Sequence, residues 1–254
     1  MTSWAFLDHP GPIAFAHRGG ASEHPENTMP AFEHAVGLGY RYLETDAHAT
    51  ADGVLVAFHD NVLDRVTDRK GVIAQLPWDS VRQARLGAGS SAAGIPLMED
   101  LLTAWPDVRV NIDLKHEASV APLVDVIQRT GAHDRVCVAS FSGKRLDRFR
   151  RLTGGRVCTA IGPGGLARLR GAAFGVPAGR IAGACAQVPV RQGPVLILDR
   201  RFVEVAHRHM VPVHVWTIDA AAEMDRLLDL GVDGIMTDRP TVLREVLVRR
   251  GQWT

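Results

Sequence analysis

Three short clusters in the first part of the chain, His17-Arg18-Gly19, Glu44-Thr45-Asp46 and His59-Asp60, carry groups that together could work on a phosphate ester. His17 and His59 each follow an apolar run, and imidazoles exchange protons near neutral pH. Glu44 and Asp46 are two apart on a strand-like segment, so both side chains point the same way. Two such carboxylates repel each other unless a cation or a shared proton intervenes. Metal-assisted attack on a phosphate ester requires this set: oxygen ligands for the ion and an acid–base pair.

Later segments add further groups. Asp113 ends another apolar run and can converge on Glu44 and Asp46. Three acidic oxygen ligands suit Mg²⁺, Ca²⁺ or Mn²⁺ better than Zn²⁺. Spacing alone equally allows ordinary strand-end carboxylates that cap helices or pair with arginines. A histidine after a strand is often structural, but two flanking an acidic cluster form a candidate acid–base pair. Arg18 and Lys115 could bind the nonbridging oxygens of a phosphate or balance the charge of Asp113 and Glu44. Trp216 reads either as an apolar wall of a pocket or as packing. The remaining histidines, His24, His34, His48, His133, His207, His209 and His214 among them, read as surface or packing groups.

The elements that must position these residues recur along the chain. Apolar runs lie at Ile13 to Ala16, around Tyr42-Leu43, Val108 to Leu114 and Val136 to Ala139, then near Val157 to Ile161, Ile181 to Val188, Val213 to Trp216 and Gly234 to Thr237. Between them are amphipathic stretches at Leu97 to Trp105, Val120 to Arg129, Gly143 to Leu152, Phe202 to His209, Ala220 to Leu230 and Thr241 to Arg250. Thr28 and Pro30 mark a further helix start, with Gly37 and Gly39 as its stop. Strands alternating with helices predict an α/β chain, a (β/α)₈ TIM barrel, with a doubly wound open sheet as the runner-up. The barrel is preferred because His17, Asp46, Asp113, Ser140, Trp216 and Asp238 all fall at or just past strand ends, which converge on one mouth. Asp238 itself reads as the cap of the last helix rather than a catalytic group.

One domain over 1–254 is expected, with a small insertion after the second strand at 47–98 that shapes the pocket and returns His59 to it. Gly162-Pro163-Gly164-Gly165 reads as a turn and lacks the Lys-Ser/Thr of a nucleotide-binding loop.

Composition narrows the partners. Net charge is +1 without a long basic run, so binding to nucleic acid is not expected. Apart from Lys70, Lys115 and Lys144, the positive charge is arginine. Cys137, Cys158 and Cys185 fit no thiolate metal motif and read as buried thiols of a reducing compartment. No apolar segment is long enough to span a membrane, and Met1 to Pro10 does not read as a signal peptide. A cytoplasmic enzyme with a small-molecule substrate and no stable membrane insertion is the expectation.

The motifs, taken in order, resemble the glycerophosphodiester phosphodiesterase family. The matching text is His17-Arg18-Gly19, Pro25-Glu26-Asn27-Thr28, Glu44-Thr45-Asp46, Asp52-Gly53 with His59-Asp60, and Ile95-Pro96-Leu97. It continues with Asn111-Ile112-Asp113-Leu114-Lys115, Val215-Trp216-Thr217 and Gly231 to Pro240. The resemblance implies a (β/α)₈ barrel that hydrolyses glycerophosphodiesters to sn-glycerol 3-phosphate and an alcohol. It further implies that Glu44, Asp46 and Asp113 hold one divalent cation, Mg²⁺ or Ca²⁺, with Mn²⁺ as a further option. His17 and His59 would be the catalytic pair, with Arg18 and Lys115 on the phosphate. Glu26 and Asn27 match further positions of the pattern, where they would support the first loop or neighbour the metal's ligands. Asp113 departs from the Glu that many relatives carry, which alters reach but keeps the charge.

The expected route passes through a cyclic 1,2-phosphate, with His17 as base for the glycerol C2 hydroxyl and His59 as acid for the leaving alcohol. The alternative is a lysophospholipase D-type phosphodiesterase acting on lysophospholipids. A non-enzymatic phosphate-binding barrel would need a missing catalytic group, and none is missing.

Overall fold

The computed structural model describes residues 4–254. Met1, Thr2 and Ser3, the start of the segment read for a leader, lie outside the described residues. Among the described residues, parallel strands run at β1 (Ile13–His17), β2 (Tyr42–Ala49), β3 (Arg109–Leu114), β4 (Val136–Ala139), β5 (Cys158–Thr159), β6 (Ala186–Pro189), β7 (Val213–Trp216) and β8 (Gly234–Thr237). Each is followed by a helix: α1 (Met29–Gly37), α2 (Met98–Ala104), α3 (Val120–Thr130), α4 (Gly143–Leu152), α5 (Pro163–Ala172), α6 (Arg200–Arg208), α7 (Ala221–Leu230) and α8 (Pro240–Arg249).

The strands neighbour one another in the order β5-β4-β3-β2-β1-β8-β7-β6. A parallel bridge between Ala160 and Cys185 then joins β5 to β6. There Ile161 N donates to Cys185 O at 2.8 Å and Ala184 N to Thr159 O at 2.8 Å. The sheet therefore curls back on itself as a barrel, not the open sheet that strand spacing also allowed. Gly183 makes the seam possible: at φ +119° a Cβ there would lie 2.7 Å from Ala160 O.

Strand alternation sorts the core into two layers. Phe15, Tyr42, Cys137, Cys158, Cys185 and Met236 form one buried cluster inside the barrel. Ala14, Leu43, Val110, Ile112, Val138, Val215 and Ile235 belong to the other, packed beneath the helices. The short helical turn Ala5–Leu7 plugs the N-terminal end of the barrel. Its Phe6 lies edge-on to Tyr42, with ring centroids 5.4 Å apart. The three cysteines are buried free thiols, as their apolar surroundings suggested.

Several elements differ from their sequence expectation. β2 runs to Ala49 because Leu55–Ala57 pairs antiparallel with its end, so Glu44 and Asp46 stand inside a strand instead of at its terminus. The Gly162-Pro163-Gly164-Gly165 segment does not stop at a turn but opens α5, with Pro163 in the first turn. Its apolar stripe is weak, with Leu169 buried, which hid the helix from periodicity. β6 begins only at Ala186, five residues after the expected start at Ile181. Asp238 does not cap α8; Arg239 stands at that position without a side-chain cap.

The excursion between β2 and α2 folds around its own small core of Val56, Phe58, Leu63, Ile73, Val81 and Leu86. No helix among the described residues is long and apolar enough to cross a membrane.

Candidate active site

Strand register brings the separated motifs together. His17 on β1 lies beside Glu44 on β2, which lies beside Asn111 on β3. Asp46 lies beside Asp113 in the same β2–β3 pairing. These residues face a cavity of about 190 Å³ at the C-terminal mouth of the barrel. His17, Arg18, Glu44, Asp46, His59, Asp113, Lys115 and Trp216 all line it. Glu26 and Asn27 are not on its wall; they contact Arg18 and Asp46 from behind.

The first loop sets Arg18 tightly. Its backbone adopts φ +52°, uncommon for a residue with a Cβ. Its N–H donates to Glu44 Oε2 at 3.2 Å, and its Nη1 donates to Glu26 Oε1 at 3.1 Å. Gly19 follows at φ +81°, where a Cβ would come within 2.8 Å of the Ala31 backbone in α1. The glycine of the His-Arg-Gly motif is thus required by close packing of the loop on the helix.

His17 Nδ1 lies 2.6 Å from Asp238 Oδ1. That contact corrects the capping role expected for Asp238. With the Nδ1 proton directed to the carboxylate, Nε2 faces Glu44 Oε2 at 3.7 Å and the cavity. Asp238 is itself held, its N–H donating to Asp219 Oδ1 at 2.8 Å. Burial would depress the His17 pKa, but the Glu44 and Asp238 carboxylates outweigh it and raise the value.

The acidic cluster is compensated unevenly. Lys115 Nζ bridges Asp46 Oδ1 at 2.8 Å and Asp113 Oδ2 at 2.7 Å. Arg18 Nε lies 3.2 Å from Asp46 Oδ2, and Asn27 Nδ2 donates to the same oxygen at 3.0 Å. Burial works to raise the Asp46 pKa, yet Lys115 and Arg18 prevail and lower it. Glu44 has no comparable cation, and burial followed by repulsion from Asp46 pushes it up to about 7. Asp113 Oδ1 is buried without a hydrogen-bond partner.

Among the described residues, no three His, Cys, Asp or Glu side chains stand as a ready-made metal cage. The Lys115 ammonium supplies the positive charge between Asp46 and Asp113 instead. Even so, an orphaned buried carboxylate oxygen and a glutamate driven toward protonation are what a hard cation would relieve. The donor set therefore fits an oxygen-ligated divalent ion.

His59 reaches the cavity from the excursion. Its Nδ1 lies 2.6 Å from Asp60 Oδ1, and its carbonyl accepts from His48 Nε2 at 3.1 Å. Arg65 Nε donates to Asp60 Oδ2 at 2.5 Å. The Arg65 Nη groups donate to both oxygens of Glu26, at 2.7 and 3.0 Å. A continuous chain of hydrogen bonds thus runs from His59 through Asp60, Arg65 and Glu26 to Arg18. Both histidines are oriented the same way, by a carboxylate on Nδ1, but they differ in depth: the His17 side chain is 14% exposed and that of His59 32%.

Trp216 is a pocket wall, edge-on to Phe141 with ring centroids 5.7 Å apart. Motif reading gave no role to Asp60, Arg65, Phe141, Asn111 or Gln187. Asp60 had a signal, its position beside His59. Asn111 also had one, because it shares the strand parity of Asp113 and Lys115. Arg65, Phe141 and Gln187 carried none that a single chain displays.

Residues 17–242 match the family described as the glycerophosphoryl diester phosphodiesterase family. A protein of Mycobacterium tuberculosis named as a probable glycerophosphodiester phosphodiesterase 2 is 46% identical over 257 residues, covering 98% of this chain and 95% of its own. The lysophospholipase D of Homo sapiens is 25% identical, covering 91% of this chain and 85% of its own. Among solved structures, an Oleispira antarctica phosphodiesterase in complex with sn-glycerol-3-phosphate superposes with a TM-score of 0.78 at 21% identity, covering 94% of this chain and 97% of that one.

Proposed function

This chain belongs to the glycerophosphoryl diester phosphodiesterase family and is a phosphodiester-hydrolysing enzyme, and on that premise we propose metal-assisted cleavage of glycerophosphodiesters to sn-glycerol 3-phosphate and an alcohol through a cyclic 1,2-phosphate. The observation that carries this reading is the pair of carboxylate-oriented histidines at different depths around one acidic cluster.

Glu44, Asp46 and Asp113 would hold a divalent ion, Mg²⁺ or Ca²⁺. Bound there, the ion would polarise the phosphate and lower the pKa of the glycerol C2 hydroxyl. His17, the deeper histidine with Nδ1 turned to Asp238, takes the C2 hydroxyl proton on Nε2 as that oxygen attacks phosphorus. His59, nearer the rim, gives a proton to the departing alcohol as the phosphorus–oxygen bond breaks. Water then opens the ring with the two roles reversed, which leaves sn-glycerol 3-phosphate. Arg18 and Lys115 hold the nonbridging oxygens, and Glu26 and Asn27 fix Arg18 and Asp46.

Phosphorus NMR during turnover of glycerophosphocholine tests the route. A transient cyclic-phosphate signal in wild-type turnover, together with opening of supplied glycerol 1,2-cyclic phosphate to sn-glycerol 3-phosphate by the wild type and not by His17→Ala or His59→Ala, supports it. Incorporation of solvent oxygen without any ring species in a trapping experiment would overturn it.

One observation favours a second reading, lysophospholipase D activity: Phe141 is 67% exposed beside Trp216 at the mouth, an apolar surface that suits a lipid tail. Turnover of glycerophosphocholine against lysophosphatidylcholine separates the two.

A further inference from the structure

Beside Glu44, and one inward-facing position below Asp113, the cavity is lined by two uncharged side chains. Asn111 on β3 and Gln187 on β6 come from strands that are not neighbours in the sheet, and their carboxamides meet across the barrel interior. Gln187 Nε2 donates to Asn111 Oδ1 at 2.7 Å, and Asn111 Nδ2 to Gln187 Oε1 at 3.4 Å. Beside and below them lies the apolar interior: Cys137, the register partner of Asn111, and Cys185, whose Sγ is 3.8 Å from Gln187 Nε2. The pair is a floor that separates the polar cavity from the barrel core.

We propose that Asn111 and Gln187 form the subsite that reads the free terminal hydroxyl of the substrate's glycerol, and that they thereby restrict the enzyme to diesters in which that hydroxyl is unacylated. The inference rests on the proposed function and adds to it the group that selects the substrate class.

The chemistry of the floor selects the occupant. Each carboxamide has two N–H donors and an oxygen with two lone pairs, and mutual pairing uses one donor and one acceptor of each. The capacity that remains includes both donors and acceptors and carries no charge. With no net charge, the pair offers a buried anion or cation no counter-charge to offset its desolvation. A hydroxyl, which donates and accepts at once, satisfies both. Burial makes that match matter, because Asn111 is 1% exposed and water has little access to its amide.

Register fixes the direction. His17, Glu44 and Asn111 form one row across β1, β2 and β3. A glycerol whose C2 hydroxyl faces His17 and Glu44 has its remaining terminal hydroxyl one carbon further on, toward Asn111. The opposite side of the phosphate faces His59, whose side chain is 32% exposed at the rim, where head groups of different size have room. An acyl group on the terminal hydroxyl would remove its proton and drive a chain into the closed end of the barrel.

The test uses the full chain with metal and compares glycerophosphocholine with the phosphocholine ester of propane-1,2-diol. That analogue lacks only the terminal hydroxyl and keeps the neighbouring nucleophile. Wild-type kcat/KM is expected to fall by about 100-fold on the analogue, because a site built to hydrogen-bond a hydroxyl is left unpaired. In Gln187→Met, similar in volume, the two substrates should converge to within about threefold, mainly through loss on glycerophosphocholine. Lysophosphatidylcholine should be at least as poor a wild-type substrate as the analogue. Wild-type turnover of the analogue or of lysophosphatidylcholine at a rate like glycerophosphocholine overturns the proposal without any variant. Absence of turnover for glycerophosphodiesters of every head group would strike the proposed function itself and take this inference with it.

Discussion

His17 Nδ1 and Asp238 Oδ1 meet at 2.6 Å, so the end of the first barrel strand is tied to the residue that follows the last. The contact fixes the ring's tautomer and aims Nε2 at the acidic cluster. Asp238→Asn should lower kcat by about 10- to 100-fold with KM within about threefold, because an amide holds the ring less strongly and with ambiguous polarity. Steady-state kinetics on glycerophosphocholine provide the check. A variant with unchanged kcat would leave Asp238 a structural partner only.

Lys115 is wedged between Asp46 and Asp113. Lys115→Met leaves two buried carboxylates without their ammonium and should cost about 3 kcal/mol of stability in metal-free buffer. Added Mg²⁺ or Ca²⁺ should then raise the melting temperature of the variant more than that of the wild type, since the ion restores the missing charge. Chelation should abolish wild-type turnover and re-addition restore it. Equal thermal shifts in both proteins, or none, would argue against an ion at these carboxylates.

Arg65 joins Asp60, the partner of His59, to Glu26, the partner of Arg18. If His59 protonates the leaving alcohol, loosening it harms poor leaving groups selectively. Arg65→Ala should lower kcat about 10-fold on glycerophosphocholine and less than about threefold on a p-nitrophenyl diester, whose leaving group needs no proton. Equal losses on the two substrates would make Arg65 a scaffold residue without influence on proton delivery.

Glu23 ties the first loop to α8. Its Oε1 accepts from Thr241 N at 3.1 Å, and its Oε2 accepts from Thr241 Oγ1 at 2.7 Å and His34 Nε2 at 2.9 Å. Partial burial works to raise its pKa, but the hydrogen bonds from Thr241 and His34 lower it below 4.5. A folded value below the unfolded one means stabilisation that is complete above the unfolded pKa and lost as pH falls through the folded pKa. Glu23→Gln should therefore cost about 1 kcal/mol at pH 7, discounted for the carboxylate's solvent contact, and progressively less as pH falls below the ordinary carboxylate range. Denaturant melts across that range would show it; a pH-independent difference would sink the account.

Much of the fold was legible because barrel elements announce themselves locally. β4 and α4 fall where apolar runs and periodicity put them, at Val136–Ala139 and Gly143–Leu152. Thr28 caps α1 through a bond from Ala31 N, as its residue type suggested. α5 escaped notice because a Gly-rich start and a weak apolar stripe look like a loop, and the packing that stabilises it is tertiary. β2 ran past its expected end because the strand Leu55–Ala57 supplied hydrogen bonds that no local pattern records.

The chain by itself determined which groups exist and on which side of a strand each lies: His17, Glu44, Asp46, Asp113 and Lys115 were readable from parity and from their place along apolar runs. Only the closed barrel decided who meets whom. Asp238 turned from a helix cap into the partner of His17, Lys115 settled on Asp46 and Asp113, and Gln187 crossed the interior to Asn111. Side-chain direction follows from the nearest few dihedrals. A contact between residues far apart in sequence depends on how every intervening strand registers and tilts, and so forms only once the ring of strands is complete.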